Sequence, residues 1–311
     1  MKQIILLATV FSLTMTSMAQ DTIAVVDTSW KKGGLASLSF TQVSLSNWAA
    51  GGQNSIAGMA LFNYFANYLK DKNSWDSNID IGYGLTQSGD DEPIKSEDKI
   101  NLATKYGRHA FKKWYYSVLL GFKSQFTEGY NYPNDSVKIS NFLAPGYITL
   151  AFGMDYKPND YFSLFISPLT SRLIIVNDDD LADIGSFGVD PAEYDALGVK
   201  VKDGDKTRFE FGAGIKAVYQ KDIMENVNLM TKLELFSNYL EDPQNVDVNW
   251  EVLIAMKVNK YITATLSTQL LYDDNTIITE DNNEDGIIDE AGPRTQFKEV
   301  LGIGLAYKFR E

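Results

Sequence analysis

The chain has 311 residues, a formal net charge of −13 at pH 7 and no cysteine. The lack of cysteine excludes a disulfide framework, and the negative charge disfavours nucleic acid as a partner because phosphate is repelled by such a surface. No stretch beyond the N-terminus offers about 18 uncharged apolar residues, so a helical membrane span is not expected. Aromatic residues make up 13% of the chain, which suits a membrane barrel with aromatic girdles.

The N-terminus has the pattern of a secretory signal peptide. Lys2 precedes an apolar run from Ile4 to Leu13, and Ser17 and Ala19 supply the small residues that a signal peptidase requires. We therefore expect cleavage before Gln20. The predicted division of the chain is a signal peptide at 1–19, a short periplasmic lead at 20–32 and a barrel at 33–311.

Period-2 alternation is the main evidence for the fold. From Val246 to Val258 the even positions are apolar and the odd positions are mainly polar, and the last segment from Phe297 to Phe309 repeats the pattern, broken only at Glu299. A soluble sandwich also alternates, but these segments are long, many end in aromatic residues, and glycines and charges share the second face. The sequence predicts an all-β protein, a transmembrane antiparallel up-and-down β-barrel in the outer membrane of a Gram-negative bacterium.

The alternating segments and their connections give the topology. The twelve predicted strands span about 34–45, 55–69, 74–87, 96–109, 114–128, 142–156, 160–171, 207–220, 227–240, 245–258, 261–272 and 296–310. The connections from even-numbered to odd-numbered strands are short, and those from odd-numbered to even-numbered strands are mostly long. This is the plan of an outer-membrane barrel with short periplasmic turns. Pro168 conflicts with its predicted strand, because proline cannot donate to a ladder.

The first long loop, Ser46–Asn54, carries a short motif. Its members are Trp48, Gly51, Gly52 and Asn54. A tryptophan shortly before Gly-Gly-x-Asn, after the first strand of an exported barrel, resembles an uncharacterised Bacteroidota family of outer-membrane barrels, a domain of unknown function. The resemblance extends over the length and loop plan of most of the mature chain, and it implies a lineage and a location but no activity. Physically, the glycines permit a tight turn, and the tryptophan is expected to anchor at the membrane interface rather than cap the lumen.

A second loop resembles a calcium-binding loop in its ligand spacing. Oxygen ligands occupy positions 1, 3, 5, 7 and 9, with glycine at position 6, and the corresponding residues are Asp281, Asn283, Asp285, Ile287 and Asp289. Gly292 stands where a bidentate glutamate belongs. The loop is therefore a candidate calcium site, with a solvated acidic loop as the alternative, and no other cofactor is indicated.

The single histidine, His109, lies beside a short turn on the predicted periplasmic rim. A hydrolase would need a base near a nucleophile or a bound water, and outer-membrane hydrolases work at the outer side. The sequence therefore predicts a protein that is not an enzyme.

The predicted lumen carries charges of both signs. These residues are Asp76, Asp80, Lys99, Lys105, Lys123, Arg208, Glu210, Lys216, Lys232, Glu234, Asp247, Glu251 and Lys257. A selective pore segregates one sign, so we expect mixed charges to pair and to restrict the lumen. The acidic loop 172–206 is interpreted either as a solvated surface or as a gate or docking surface.

These features favour a structural or docking role in the cell envelope, within a secretion or assembly complex, over a narrow gated channel for small polar solutes or ions. The expected partners are outer-membrane lipids and lipopolysaccharide, the barrel-assembly machinery during insertion, and envelope proteins.

Overall fold

The computed structural model describes residues 29–45, 53–132, 134–259, 261–280 and 290–310. Twelve antiparallel strands in these ranges close into a barrel, and each strand pairs with its two sequence neighbours, the first with the last. The strands are β1 Trp30–Val43, β2 Ser55–Lys70, β3 Asn73–Ser88, β4 Ile94–Phe111, β5 Trp114–Ser124, β6 Gly146–Asn159, β7 Phe162–Ile175, β8 Thr207–Met224, β9 Val227–Asn238, β10 Asp247–Lys257, β11 Ile262–Tyr272 and β12 Gln296–Arg310. The predicted fold class and strand number are confirmed.

The connections define two ends of the barrel. The short connections after β2, β4, β6, β8 and β10 leave the sheet at one end, where β1 also begins and β12 ends. The longer connections after β1, β3, β5, β7, β9 and β11 leave the sheet at the other end. Since outer-membrane barrels keep short turns in the periplasm, we call these the periplasmic end and the outer end.

Several strand bounds differ from the predicted ones. β5 stops at Ser124 rather than at 128, because the Asp98 carboxylate accepts hydrogen bonds from the N–H groups of Phe126 at 2.7 Å and Thr127 at 3.0 Å and draws the chain away from the ladder. The segment that follows forms its own hairpin, Gly129–Asn131 with Asn134–Ser140. β7 runs on to Ile175, and β1 begins at Trp30, inside the predicted periplasmic lead.

A bulge accommodates Pro168 in β7. Pairing with β6 passes from Phe152↔Leu169 to Met154↔Ile166, so Gly153 alone faces two residues of β7. The Ser167 hydroxyl donates to the Phe152 carbonyl at 2.9 Å. A Cβ at Gly153 would lie 2.1 Å from the Ile166 carbonyl oxygen, so the bulge requires glycine at this position. Proline is tolerated because a bulge interrupts the ladder.

The outward face forms a membrane-spanning band. Apolar side chains such as Leu102, Leu120 and Phe152 are exposed on it, and aromatic pairs mark both ends. Trp114 and Tyr156 lie 5.0 Å apart at the periplasmic end. A barrel hydrogen-bonds its strands to one another, as a membrane-spanning sheet requires, and an apolar band between aromatic girdles is the outer-membrane design. The chain is therefore an outer-membrane β-barrel, as the sequence predicted.

The regular helical structure lies in the outer segment 176–206. It comprises the short helix α1, Asp179–Asp183, and a 3-10 turn at Ser186–Gly188. Within the ranges described, no helix is long and apolar enough to cross a membrane.

Candidate functional site

The structure places the predicted lumen charges in three layers along the barrel axis. All of them except Lys257 take part in ion pairs within the described residues, and several of these pairs join strands that are not neighbours. Lys257 lies exposed at the periplasmic end of β10. The lumen is therefore filled by paired side chains of opposite sign.

The middle layer crosses the full width of the barrel. Lys232 on β9 donates to Asp80 on β3, and these strands lie six apart in a ring of twelve, on opposite walls. Both side chains are buried. Lys99 on β4 reaches Glu251 on β10 at 3.6 Å, again six strands away. Strand register alone does not bring such residues together, because their strands are not hydrogen-bonded to each other. We call these two ion pairs the cross-lumen pairs.

Glu234 joins two further lysines at the same level. Lys216, its direct cross-strand partner on β8, lies 2.8 Å away. Lys123 donates to the same carboxylate from β5, four strands away. One half-buried carboxylate thus holds two cations from different parts of the wall, which suits charge pairing inside the lumen.

A small cavity remains beside the middle layer. Asp80 and Lys232 line it on one side, and its apolar lining includes Leu35, Leu61 and Leu253. Removing the two charged side chains would therefore enlarge an existing space.

The periplasmic layer contains residues that the sequence analysis left out. Lys105 Nζ lies 2.7 Å from Asp155 and 3.7 Å from Asp76. Lys157 contacts the same two carboxylates, at 3.7 Å for Asp155. The Ser163 hydroxyl accepts a hydrogen bond from Lys105 at 2.8 Å and donates one to Asp155 at 2.7 Å. Asp155 lies on the inward face of the predicted strand 142–156, and extending that strand by one residue would have reached Lys157 on the same face.

The outer layer is organised by Arg172, which the sequence analysis assigned to a loop. Its guanidinium donates to Glu210 on β8 and to Asp247 on β10, and it lies 4.3 Å from the ring centroid of Phe236. Glu210 is fully buried, and its second oxygen lies 3.4 Å from Nε of Arg208. The planar guanidinium can serve two carboxylates at once, so this residue ties three strands together below the outer opening.

A lid covers the outer opening. We define the lid as segment 176–206 together with the hairpin in 125–145. Its core is an apolar cluster that includes barrel residues, and the members are Ala144, Ile174, Val176, Leu181, Ala182 and Val189, with Tyr147 and Phe187 packed against them. Arg208 donates to the Gly188 carbonyl at 2.9 Å. Gly188 has a φ of +78°, and a Cβ there would lie 2.0 Å from the same guanidinium, so the contact requires glycine.

Asp178 latches the two parts of the lid together. It caps α1, accepts a hydrogen bond from Asn141 at 2.9 Å and lies 2.6 Å from Nζ of Lys138. Although partial burial opposes ionisation, the bonds from Asn141 and Lys138 hold the pKa of Asp178 below its ordinary value. Hydrogen bonds from Lys200 and from the Gly204 N–H likewise hold the pKa of Asp183 below its ordinary value. Both anions therefore favour the ordered lid.

The latch is expected to be sensitive to acid. A depressed carboxylate pKa stabilises the ordered state above the ordinary carboxyl pKa of about 3.9, and this stabilisation is lost as the pH falls through the lowered value. A nitroxide on Ile184→Cys should therefore be immobile between pH 5 and 7 and mobile below about pH 4 by electron paramagnetic resonance. Asp178→Asn should be mobile at neutral pH and show a smaller acid response. Equal mobility at pH 3 and pH 7 in the native latch would contradict the assignment.

The remaining predicted sites are described in part. Asn54 closes the first outer loop, since its side chain accepts from the Leu45 N–H at 2.7 Å and its carbonyl accepts from the Gly89 N–H at 2.7 Å. Trp48, Gly51 and Gly52 lie outside the described residues, as does the candidate calcium loop 281–289. In the ranges that are described, no group of three or more histidine, aspartate or glutamate side chains is placed to hold a metal ion.

His109 lies at the periplasmic end of β4. Its Nε2 is 3.0 Å from the Lys112 carbonyl oxygen, and its ring meets Tyr115 edge to face. The contacts fix the ring beside the turn where the sequence placed it.

The fold and the filled lumen define an outer-membrane barrel with a closed interior and an ordered outer lid. Residues 40–130 match a family described as Protein of unknown function (DUF3078). No curated protein matches the chain.

Solved structures with a similar fold are outer-membrane barrels. The translocator domain of autotransporter NalP from Neisseria meningitidis is 9% identical, with 90% of this chain and 88% of that chain covered at a TM-score of 0.36. An outer membrane channel from Pseudomonas putida F1 is 11% identical, with 90% and 95% covered at a TM-score of 0.37. Outer membrane phospholipase A from Escherichia coli is 11% identical, with 88% and 95% covered at a TM-score of 0.33.

The prediction that the protein is not an enzyme is corrected by this comparison. An enzyme, outer membrane phospholipase A, is among the barrels of similar fold. One fold class hosts unrelated functions, so neither the barrel nor the rim position of His109 excludes catalysis.

Proposed function

We propose that the protein is a closed outer-membrane barrel with a structural or docking role in the cell envelope, as part of a secretion or assembly complex. The observation that carries the proposal is the set of ion pairs between opposite walls, above all Lys232 with Asp80. A lumen bridged at several levels leaves no aqueous path like that of large porins, so the function is assigned to the surfaces of the barrel.

The outer surface supports a docking role. The lid is held by its own apolar core and by ion pairs, so it presents a preformed surface rather than a flexible loop. Preformed surfaces bind partners at a lower entropic cost. The apolar band would meet outer-membrane lipids and lipopolysaccharide, and the assembly machinery would act during insertion. We also propose the Bacteroidota lineage that the Trp48–Asn54 motif implies.

The alternative is a narrow gated channel, and the observation in its favour is the latch at Asp178, which joins α1 to Asn141 and Lys138 of the neighbouring hairpin. In that case the lid would be the gate. The two proposals differ in what blocks ion flow. In the closed barrel the ion pairs across the lumen block it, whereas in the gated channel the lid above them does.

Planar-bilayer conductance separates the two proposals. We expect the refolded mature protein to be silent, and we expect deletion of residues 177–205 to leave it silent because the middle layer remains. Replacing Asp80, Lys99, Lys232 and Glu251 together by alanine in the lid-deleted protein should produce a current, since these side chains bridge the lumen from wall to wall. Alanines at the exposed pair Lys31 and Asp160 in the same lid-deleted protein serve as the control. Current through the native protein, or through the lid deletion alone, would overturn the closed-barrel proposal in favour of the channel.

A further inference from the structure

The ladder between β1 and β12 is shorter than the strands that it joins. Pairing runs from Gly33↔Arg310 to Ser39↔Gly304 and stops there. β1 continues to Val43 along β2, and β12 begins at Gln296 along β11. Among the described residues, 40–43 and 296–303 therefore pair on one side alone. The barrel has an open seam in its outer half.

The last pair of the ladder is closely packed. A Cβ at Gly304 would lie 2.2 Å from the Leu38 carbonyl oxygen, so the two backbones are in tight contact there. Beside the seam, a Cβ at Gly302 would lie 3.3 Å from the Ser39 hydroxyl. The inward face of β12 along the seam carries Gln296, Lys298, Val300 and Gly302, so its side chains become smaller towards the closed part of the ladder.

The outward side chains beside the seam are apolar. Leu301 is 67% exposed, Ile303 62% and Phe40 58%. Leu305 and Leu38, which pair in the closed part of the ladder, are exposed to the same degree at 63% and 60%, as expected of side chains that face lipid. Both seam strands therefore present apolar side chains beside an unpaired backbone edge.

The seam lies within the membrane band. On β12 the outward aromatic residues Phe297 and Tyr307 are ten positions apart, which corresponds to about 25 Å along a tilted strand and matches the height of the apolar band. Backbone N–H and C=O groups between them need partners, because lipid chains offer no hydrogen bonds. An unpaired edge at this depth favours a ligand that can complete the ladder.

Glu299 adds a charge to the same edge. It is the residue that interrupts the apolar face of β12, between Phe297 and Leu301, and it is exposed. Within the described part of the chain, its carboxylate takes part in no ion pair or hydrogen bond, although Lys298 beside it pairs with Glu97 across the lumen at 3.0 Å. A carboxylate beside lipid is costly unless it is paired with a cation.

We propose that this seam is a docking site for an extended segment of a partner polypeptide. The segment adds a strand to the outer half of β12, as in other cases of strand addition, and places a lysine or arginine beside Glu299. Apart from that cation its outward residues are apolar, to match Leu301 and Ile303 on the outward face of the seam. The inference rests on the proposed docking role and names the chemistry of the partner.

The first test measures whether the seam is open. The chain has no cysteine, so pairs can be introduced cleanly. Ser37→Cys with Ala306→Cys lies in the closed ladder, and Thr41→Cys with Gly302→Cys continues the same register across the seam. We expect oxidation to link the first pair at least about tenfold faster than the second, because a disulfide requires Cα atoms within about 7 Å. Equal rates would show a closed ladder and overturn the proposal.

The second test measures charge recognition. The probes are two fluorescent ten-residue peptides of alternating valine and threonine, one with lysine and one with glutamate at the centre, added to the mature protein in lipid nanodiscs. The native protein should bind the lysine peptide about tenfold more tightly. Glu299→Lys should reverse the preference and Glu299→Gln should remove it. Binding without a charge preference would refute a polypeptide partner. So would labelling of the seam by a photoreactive fatty acid when neither peptide binds. Neither readout depends on conductance, so this proposal and the closed-barrel proposal can fail separately.

Discussion

Lys232→Met alone should lower the free energy of unfolding by about 3–5 kcal/mol, because it leaves one buried charge without its partner. Lys232 and Asp80 are both buried, on opposite walls of the lumen. Without the lysine, Asp80 would keep the amide groups of Asn63 and Asn78 as its nearest donors. Two neutral donors do not compensate an ionised carboxylate in a low-dielectric interior. Equilibrium unfolding in urea, from lipid vesicles and followed by tryptophan fluorescence, measures the loss.

Removing both charges should recover most of that stability. In Asp80→Asn with Lys232→Met no uncompensated charge remains, and replacing a buried ion pair by neutral residues is often close to neutral. The matched control is Lys31→Met, which breaks the exposed pair with Asp160 and should cost less than about 1 kcal/mol. If the double variant is as unstable as Lys232→Met, the two residues do not act as a pair and the interpretation of the middle layer is wrong.

Strand periodicity made the barrel and its inward residues predictable. Alternation has a fixed period of two, so each strand assigns its own residues to the lumen or to the lipid without knowledge of its neighbours. Lys216 and Glu234 were predictable as partners as well, because a hairpin fixes their register. The cross-lumen pairs were not predictable. Asp80 and Lys232 are 152 positions apart, and they come into contact only because the strands close into a ring.

The strand ends and the lid were harder to predict for a different reason. Arg172 was assigned to a loop because the alternation of β7 passes through a bulge at Pro168, which shifts the parity of the residues that follow. The lid core, which includes Val176, Leu181 and Val189, has no period, as its residues come together from a helix, a turn and a barrel strand. Tertiary packing of this kind leaves little local signal.

Function was the least predictable property. The mixed charges of the predicted lumen indicated a restricted pore. The ion pairs between opposite walls show how the lumen is restricted. Yet one fold class hosts many unrelated functions, so the barrel wall does not specify what the loops and surfaces do. The features that distinguish this chain from a generic barrel are the cross-lumen pairs, the lid and the seam. Each depends on contacts between residues that are far apart in sequence.

Arg172→Met should have the second large effect, and it should release the lid as well as destabilise the barrel. The substitution leaves Asp247 without its cation and leaves the fully buried Glu210 with the more distant Arg208 at 3.4 Å. We expect a loss of about 3–5 kcal/mol in the free energy of unfolding. The guanidinium also lies over the Tyr147 ring, which packs against the lid core, so a nitroxide at position 184 should gain mobility at neutral pH.

Two further variants separate charge from geometry at this site. Arg172→Lys keeps the charge but cannot serve two carboxylates with one planar group, so its stability should fall between those of the native protein and Arg172→Met. Arg208→Met removes the bond to Gly188 while its partner Glu241 is largely exposed, so it should loosen the lid at a smaller cost in stability. Because the three substitutions differ in which strands they disconnect, the order of their effects tests the position of the guanidinium. Native stability in Arg172→Lys, or a larger loss in Arg208→Met than in Arg172→Met, would show that Arg172 does not hold the outer layer together.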